Sequence, residues 1–206
     1  MSQAVAVGSP AVDTYENPLT PESWSKLAMW IFLAGDAMSF GGLLAAYGAL
    51  RFGSPNWPVP QHVLGIFTTA VMTFLLICSS VTMVKGLAAL QDGEPRRMCM
   101  FLGLTVLGGI VFLVMQAFEW THLIHEGLGL SSNPWGASQF GTTFFMTTGF
   151  HGCHVFAGVV YLSTILIRGW RGRFSRTNYA PVETAGLYWH FVDLVWILVF
   201  TFIYLI

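Results

Sequence analysis

Charge is scarce in this sequence. Only 9% of its 206 residues are Asp, Glu, Lys or Arg, against 54% that are hydrophobic. A soluble globular domain carries roughly 25% charged residues, so this chain cannot clothe an ordinary water-facing surface. Its formal net charge of −1 offers no bulk attraction to nucleic acid. Cysteine is also rare. Cys78, Cys99 and Cys153 stand apart, and none belongs to a CxxC or CxxCH pattern, so neither a disulfide framework nor a c-type haem attachment is supported. Each reads as a small buried hydrophobe. The first 24 residues have no Lys or Arg and no apolar core followed by a cleavage pattern, so no secretory signal is expected there. With Pro10, Pro18 and Pro21, residues 1–24 are expected to form a loose cytoplasmic arm. Phosphate loops, catalytic triads and zinc patterns are absent from the sequence.

What the chain does have is hydrophobic length. A bilayer-spanning helix needs about 20 apolar residues. Five segments meet that requirement, near 27–49, 63–84, 100–119, 143–167 and 185–206. Strands are excluded because the runs lack polar alternation and an open sheet edge cannot face lipid. The expectation is an all-α membrane bundle of five transmembrane helices, one domain over residues 25–206. Small residues mark where helices should approach closely: Gly41, Gly42, Ala45 and Ala46 in the first span, Gly108 and Gly109 in the third, Gly149 and Gly152 in the fourth. Trp24, Trp57, Trp120, Trp135, Trp170 and Trp189 fall near span ends, where indoles favour the membrane interface. Lys26, Lys85, Arg96, Arg97, Arg168, Arg171, Arg173 and Arg176 all fall on the N-terminal side of a five-span chain, and only Arg51 on the other. Basic residues stay inside, so the N-terminus is expected in the cytoplasm and the C-terminus outside.

Few polar residues interrupt the spans, and each is costly enough in lipid to require protein or water around it. Asp36 lies ten residues past Lys26 and Asp193 ten past Glu183, each about 15 Å deep. His190 precedes Asp193 by one helical turn, so both can meet a shared partner. If the first and last spans are adjacent, these three can form a mid-membrane cluster, with Asp36 protonated or bonded to His190. His151 and His154 sit in the run GFHGCHVFAGVVYL, roughly 25 and 21 Å from the cytoplasmic edge. With Glu119 and His122 they can form a second, outer cluster. All of these carry two readings, proton handling or polar helix-to-helix linkage. Glu119-x-x-His122 is half of a carboxylate di-iron pattern, but the second ExxH and two further Glu that such sites use are lacking. A small haem- or metal-bearing membrane enzyme therefore stands as an alternative, and a transporter ranks below it for want of inverted repeats and mid-span proline breaks.

Four segments bear a family resemblance. GFHGCHVFAGVVYL at 149–162, YWHFVDLVWILVF at 188–200, QAFEW at 116–120 and FLAGDAMSFGGLLAAY at 32–47 resemble, in order and spacing, the signatures of subunit III of haem–copper terminal oxidases. The resemblance covers roughly residues 25–206. It implies an accessory, non-catalytic subunit of a respiratory oxidase in a bacterial inner membrane. Such a subunit packs beside the haem- and copper-bearing subunit I, has no cofactor of its own, binds phospholipid, and supports proton uptake and complex durability. A subunit III-like partner of a nitric oxide reductase is the alternative within that resemblance. Two departures stand out. Longer members have seven spans, and the two missing here would precede residue 25. Asp36 stands where the family more often has Glu, one methylene longer.

Overall fold

The structure, a computed structural model, describes residues 24–206; the expected N-terminal arm lies almost wholly outside the described residues. Every long apolar run is a helix. These are α1 (Trp24–Gly53), α3 (Ile66–Gln91), α4 (Pro95–His125), α5 (Gln139–Trp170) and α6 (Ala180–Val199), with a one-turn α2 (Pro60–Val63) in the first connection. The last turn of α6 widens into a π-helix, Phe200–Leu205. All five long helices are long and apolar enough to cross a membrane, so the chain is a multi-pass membrane protein. Helices α1, α4 and α5 outrun their expected spans at both ends, and α3 and α6 at the ends expected in the cytoplasm, because helices continue past the hydrocarbon edge until a turn residue stops them. Between α3 and α4, Gly93 supplies the stop. Its φ of +84° is open to glycine at no steric cost. The Gly93 and Glu94 N–H groups then bond back to the Leu90 and Ala89 carbonyls at 3.0 and 2.8 Å, which satisfies the frayed helix end. Pro95 follows at the first turn of α4, where a missing N–H is harmless.

Helices α3, α4, α5 and α6 form a closed four-helix ring, and α1 lies outside it against α5 and α6. The sequence of α1 explains that place. Its buried residues Leu33, Asp36, Phe40 and Tyr47 make a single stripe, enough for one contact face and no more. The small residues of α1 do not serve the contact. Gly41, Gly42, Ala45 and Ala46 are exposed, and a Cβ on Gly41 or Gly42 would meet nothing within 4 Å. The expectation of close packing fails there because small residues permit approach without causing it. It holds in α4. A Cβ on Gly109 would come within 2.6 Å of both Trp189 and Val159, and one on Gly108 within 2.8 Å of Ser79. The α5 pair divides: Gly149 faces Trp120 at 3.1 Å, and Gly152 faces open space.

The slot beside Gly109 explains a second departure. Trp189 is fully buried and donates its Nε1–H to Ser79 Oγ at 3.0 Å. It is a core residue, not an interfacial one, because the glycines admit the ring and the serine satisfies its one polar atom. Trp24 and Trp170 are exposed at helix ends as expected. Of the cysteines only Cys99 is buried; Cys78 and Cys153 are exposed on the bundle's outer face, where lipid accepts a thiol as readily as the core does. Polar contacts fasten both ends of the bundle. Lys26 pairs with Glu183 at 2.8 Å where α1 and α6 begin. At the opposite end Ala137 N–H donates to Asn56 O at 3.0 Å and Gln61 Nε2 to Leu205 O at 3.4 Å.

Candidate functional site

The acidic and histidine side chains inside the bundle sort into three groups and one isolated ring. The first group joins α1 to α5. Asp36 is the one charged residue on the buried stripe of α1, and His154 meets it, with Nε2 at 3.1 Å from Oδ1. Both side chains are largely buried, at 7% and 15% exposure. The other ring nitrogen, Nδ1, lies 2.8 Å from the Phe150 carbonyl one turn back. A carbonyl can only accept, so Nδ1 carries a hydrogen. Nε2 then either carries a second hydrogen toward an ionised carboxylate or accepts the hydrogen of a neutral carboxyl. In both forms one proton lies between Asp36 and His154. Tyr188 on α6 closes the group by donating to the His154 carbonyl at 2.9 Å, and Phe40 and Phe150 lie against the imidazole at 5.4 and 4.6 Å between ring centroids.

The second group joins α6 to α3. His190 Nδ1 is 2.5 Å from Ser80 Oγ, and the same serine faces Asp193. The shared partner expected for this pair is therefore a hydroxyl on α3. Helices α1 and α6 are adjacent, as the Phe32–Tyr188 ring stack at 6.3 Å records, yet Asp36 does not bond His190. His190 turns toward α3, while His154 approaches α1 from α5.

The third group lies near the far end of α4. Glu119 Oε1 meets Thr69 Oγ1 at 3.0 Å, and Oε2 accepts from Gln116 Nε2 at 3.2 Å and Tyr204 Oη at 3.1 Å. Its neighbour by sequence, His122, is 72% exposed and faces Glu126 at 3.7 Å. The isolated ring is His151. It is 1% exposed, stacks on Trp196 at 4.9 Å, and meets Phe112 edge-on at 5.8 Å. Neither of its nitrogens has a hydrogen-bond partner.

The outer cluster of Glu119, His122, His151 and His154 thus does not form. His151 and His154 lie three apart, only about 60° from each other around the helix, and both rings meet Phe40. It is the neighbouring side chains that part them, Trp196 stacking on His151 and Asp36 bonding His154. Sequence reasoning missed Ser80, Tyr188 and Tyr204, since hydroxyls in apolar runs are common and carry no spacing signal. Gln116, one turn before Glu119, was the legible hint.

These groups are pairs of titratable and hydroxyl side chains tying one helix to the next, and among the described residues no three His, Cys, Asp or Glu come together as metal ligands. The class they define is a multi-pass helical membrane protein with internal polar links. Its family is more specific. The chain belongs to the cytochrome c oxidase subunit III family, whose profile matches residues 23–206. It is 37% identical to the cytochrome c oxidase subunit 3 of Corynebacterium diphtheriae, over 85% of each chain. It is 38% identical to that of a Synechocystis species, over 85% of this chain and 73% of the relative. A Bacillus homologue of the same name is 32% identical, over 92% and 90%.

Proposed function

We propose that this chain is the accessory subunit III of a respiratory haem–copper terminal oxidase, docked beside the haem- and copper-bearing subunit I in a bacterial cytoplasmic membrane. The family match across nearly the whole chain carries the reading. The relatives' names disfavour the nitric oxide reductase alternative and favour cytochrome c over quinol as the complex's electron donor. In this reading the chain carries no redox centre and no catalytic residue. Residues 25–206 are its working domain, with residues 1–24 as a cytoplasmic arm. The eight basic residues at one end of the bundle favour a cytoplasmic N-terminus and an outward C-terminus.

The role of such a subunit is to keep the complex supplied with protons and intact during turnover, with bound phospholipid filling its grooves. Asp36 and His154 share a hydrogen across the α1–α5 contact at 3.1 Å, and this pair is the candidate for proton handling. The remaining candidates act as polar links: His190 and Asp193 between α6 and α3, His151 as a packed ring. Purification of a tagged chain in mild detergent tests the assignment. The chain should bring down a much larger haem-bearing subunit in equal amount. Recovery alone, or with a large subunit of a nitric oxide reductase, would refute it.

A further inference from the structure

Glu119 plays no part in that reading, yet its surroundings are unusual. It lies nearly two turns from the end of α4 and forms part of the wall of a cavity of about 470 Å³ with Val63, Leu64, Gly65, Thr68 and His122. His122 stands at the exposed rim. The titratable groups around the carboxyl are Tyr204, which bonds it, and His122, which lines the same cavity; α2, α3 and the turn between them line it with Val63, Leu64, Gly65 and Thr68, none of them titratable.

The hydrogens can be counted. Thr69 Oγ1 is within 3.0 Å of two acceptors, Glu119 Oε1 and Gly65 O, and has one hydrogen to give. Gly65 O already accepts the Thr69 N–H at 3.0 Å, so the hydroxyl is free to leave it. When Glu119 is ionised, Thr69 donates to Oε1 while Gln116 and Tyr204 donate to Oε2. When Glu119 carries a proton on Oε1, it donates to Thr69 Oγ1, and the Thr69 hydrogen turns to Gly65 O. In both states the two Glu119 oxygens and the Thr69 hydroxyl keep their partners, and the passage between them requires only rotation of one hydroxyl. Three neutral donors, and no cation among the described residues, hold the carboxyl, and it borders a cavity instead of being sealed. The π-turn supplies a second sign. Ile206 N–H bonds five residues back to Thr201 O at 3.1 Å, and this widened turn carries Tyr204 onto Glu119. Single π-turns occur often at functional positions.

We propose that Glu119 is a proton-exchanging carboxyl, loaded and unloaded from the membrane face on which α4 ends, through the cavity it shares with His122. Loading takes a proton from water in the cavity onto Oε1 and turns the Thr69 hydroxyl to Gly65 O. Unloading reverses both, and no other bond changes. The site is separate from the Asp36–His154 pair, and the inference does not depend on which subunit the chain docks against.

Infrared difference spectroscopy on the purified complex, perfused with buffers of changing pH in H2O and D2O, tests this. One protonated-carboxyl C=O band should grow on acidification, shift in D2O, vanish in Glu119→Gln and survive in Asp36→Asn. Thr69→Val should slow the deuterium shift, and Thr69→Ser should restore it. Tyr204→Phe, which leaves the carboxyl in place, should move the band and covers the case of a Glu119→Gln variant that fails to assemble. A spectrum with no band lost in Glu119→Gln, or none moved in Tyr204→Phe, at any pH would overturn the proposal. A band that ignores pH and does not exchange would do the same, and exchange unaltered in Thr69→Val would remove the hydroxyl from the mechanism.

Discussion

The contact between Asp36 and His154 is the most consequential link between α1 and the ring, and its strength can be worked out. Helix α1 offers one buried stripe, and Asp36 is the polar member of it. Interhelical hydrogen bonds in membranes average about 0.6 kcal/mol in double-mutant cycles and reach about 1.7. This one is 3.1 Å long between side chains 7% and 15% exposed, and its histidine is held from behind by the Phe150 carbonyl. Fixed geometry and exclusion of lipid place it near the top of that range, about 1–2 kcal/mol. Removing one partner strands the other. Asp36→Ala and His154→Ala should therefore each destabilise the chain by about 1–3 kcal/mol, and the double variant by less than their sum. Asp36→Asn differs, because its amide N–H can donate to Nε2 in place of the carboxyl. Its loss should stay below about 1 kcal/mol. The assay is an SDS titration of the purified complex, following retention and tryptophan fluorescence of this subunit for the four members of the cycle. Single-variant effects that add to within about 0.3–0.5 kcal/mol would mean no coupling, and the pairing argument would fall.

Three further outcomes follow from the packing. Gly109→Val places bulk where even a Cβ would stand 2.6 Å from Trp189; it should cost about 1–3 kcal/mol and weaken assembly, whereas Gly41→Ala, in open space, should be neutral in the same SDS titration. Trp196→Phe removes the Nε1–H donation to Thr73 at 3.0 Å but keeps a ring against His151, so the loss should be about 1 kcal/mol, read as a lowered midpoint of thermal release. Asp193→Asn should loosen the α6–α3 contact through Ser80 and reduce subunit retention while the haem spectrum of the complex stays unchanged; an altered haem spectrum with full retention would point to a direct role at the redox site.

Element type and number were legible because lipid forces the issue: a run of about 20 apolar residues has one backbone solution. Partner choice was not. Asp36 was matched with His190 on depth alone, and depth along a helix says nothing about which way a ring turns. His190 found Ser80, one of several hydroxyls in an apolar run with no pattern to mark it. His151 and His154 look equivalent in the sequence and share one side of α5, yet the side chains that meet them differ, Trp196 for one and Asp36 of α1 for the other. Glycine was readable only where a neighbour crosses close to it, as Trp189 does beside Gly109 and Ser79 beside Gly108. The exposed small face of α1 shows the limit of that signal.

The central claim is that this subunit protects and supplies a redox machine housed elsewhere. It is tested most directly by stripping the chain from the purified oxidase with a harsher detergent and then adding it back. The account predicts that the stripped complex keeps its full haem spectrum and its initial rate of O2 reduction, inactivates sooner during turnover, and recovers its lifetime when the chain is restored, but not when the Asp36→Ala form is used. Haem leaving with the stripped chain, or an unchanged turnover lifetime without it, would contradict the account.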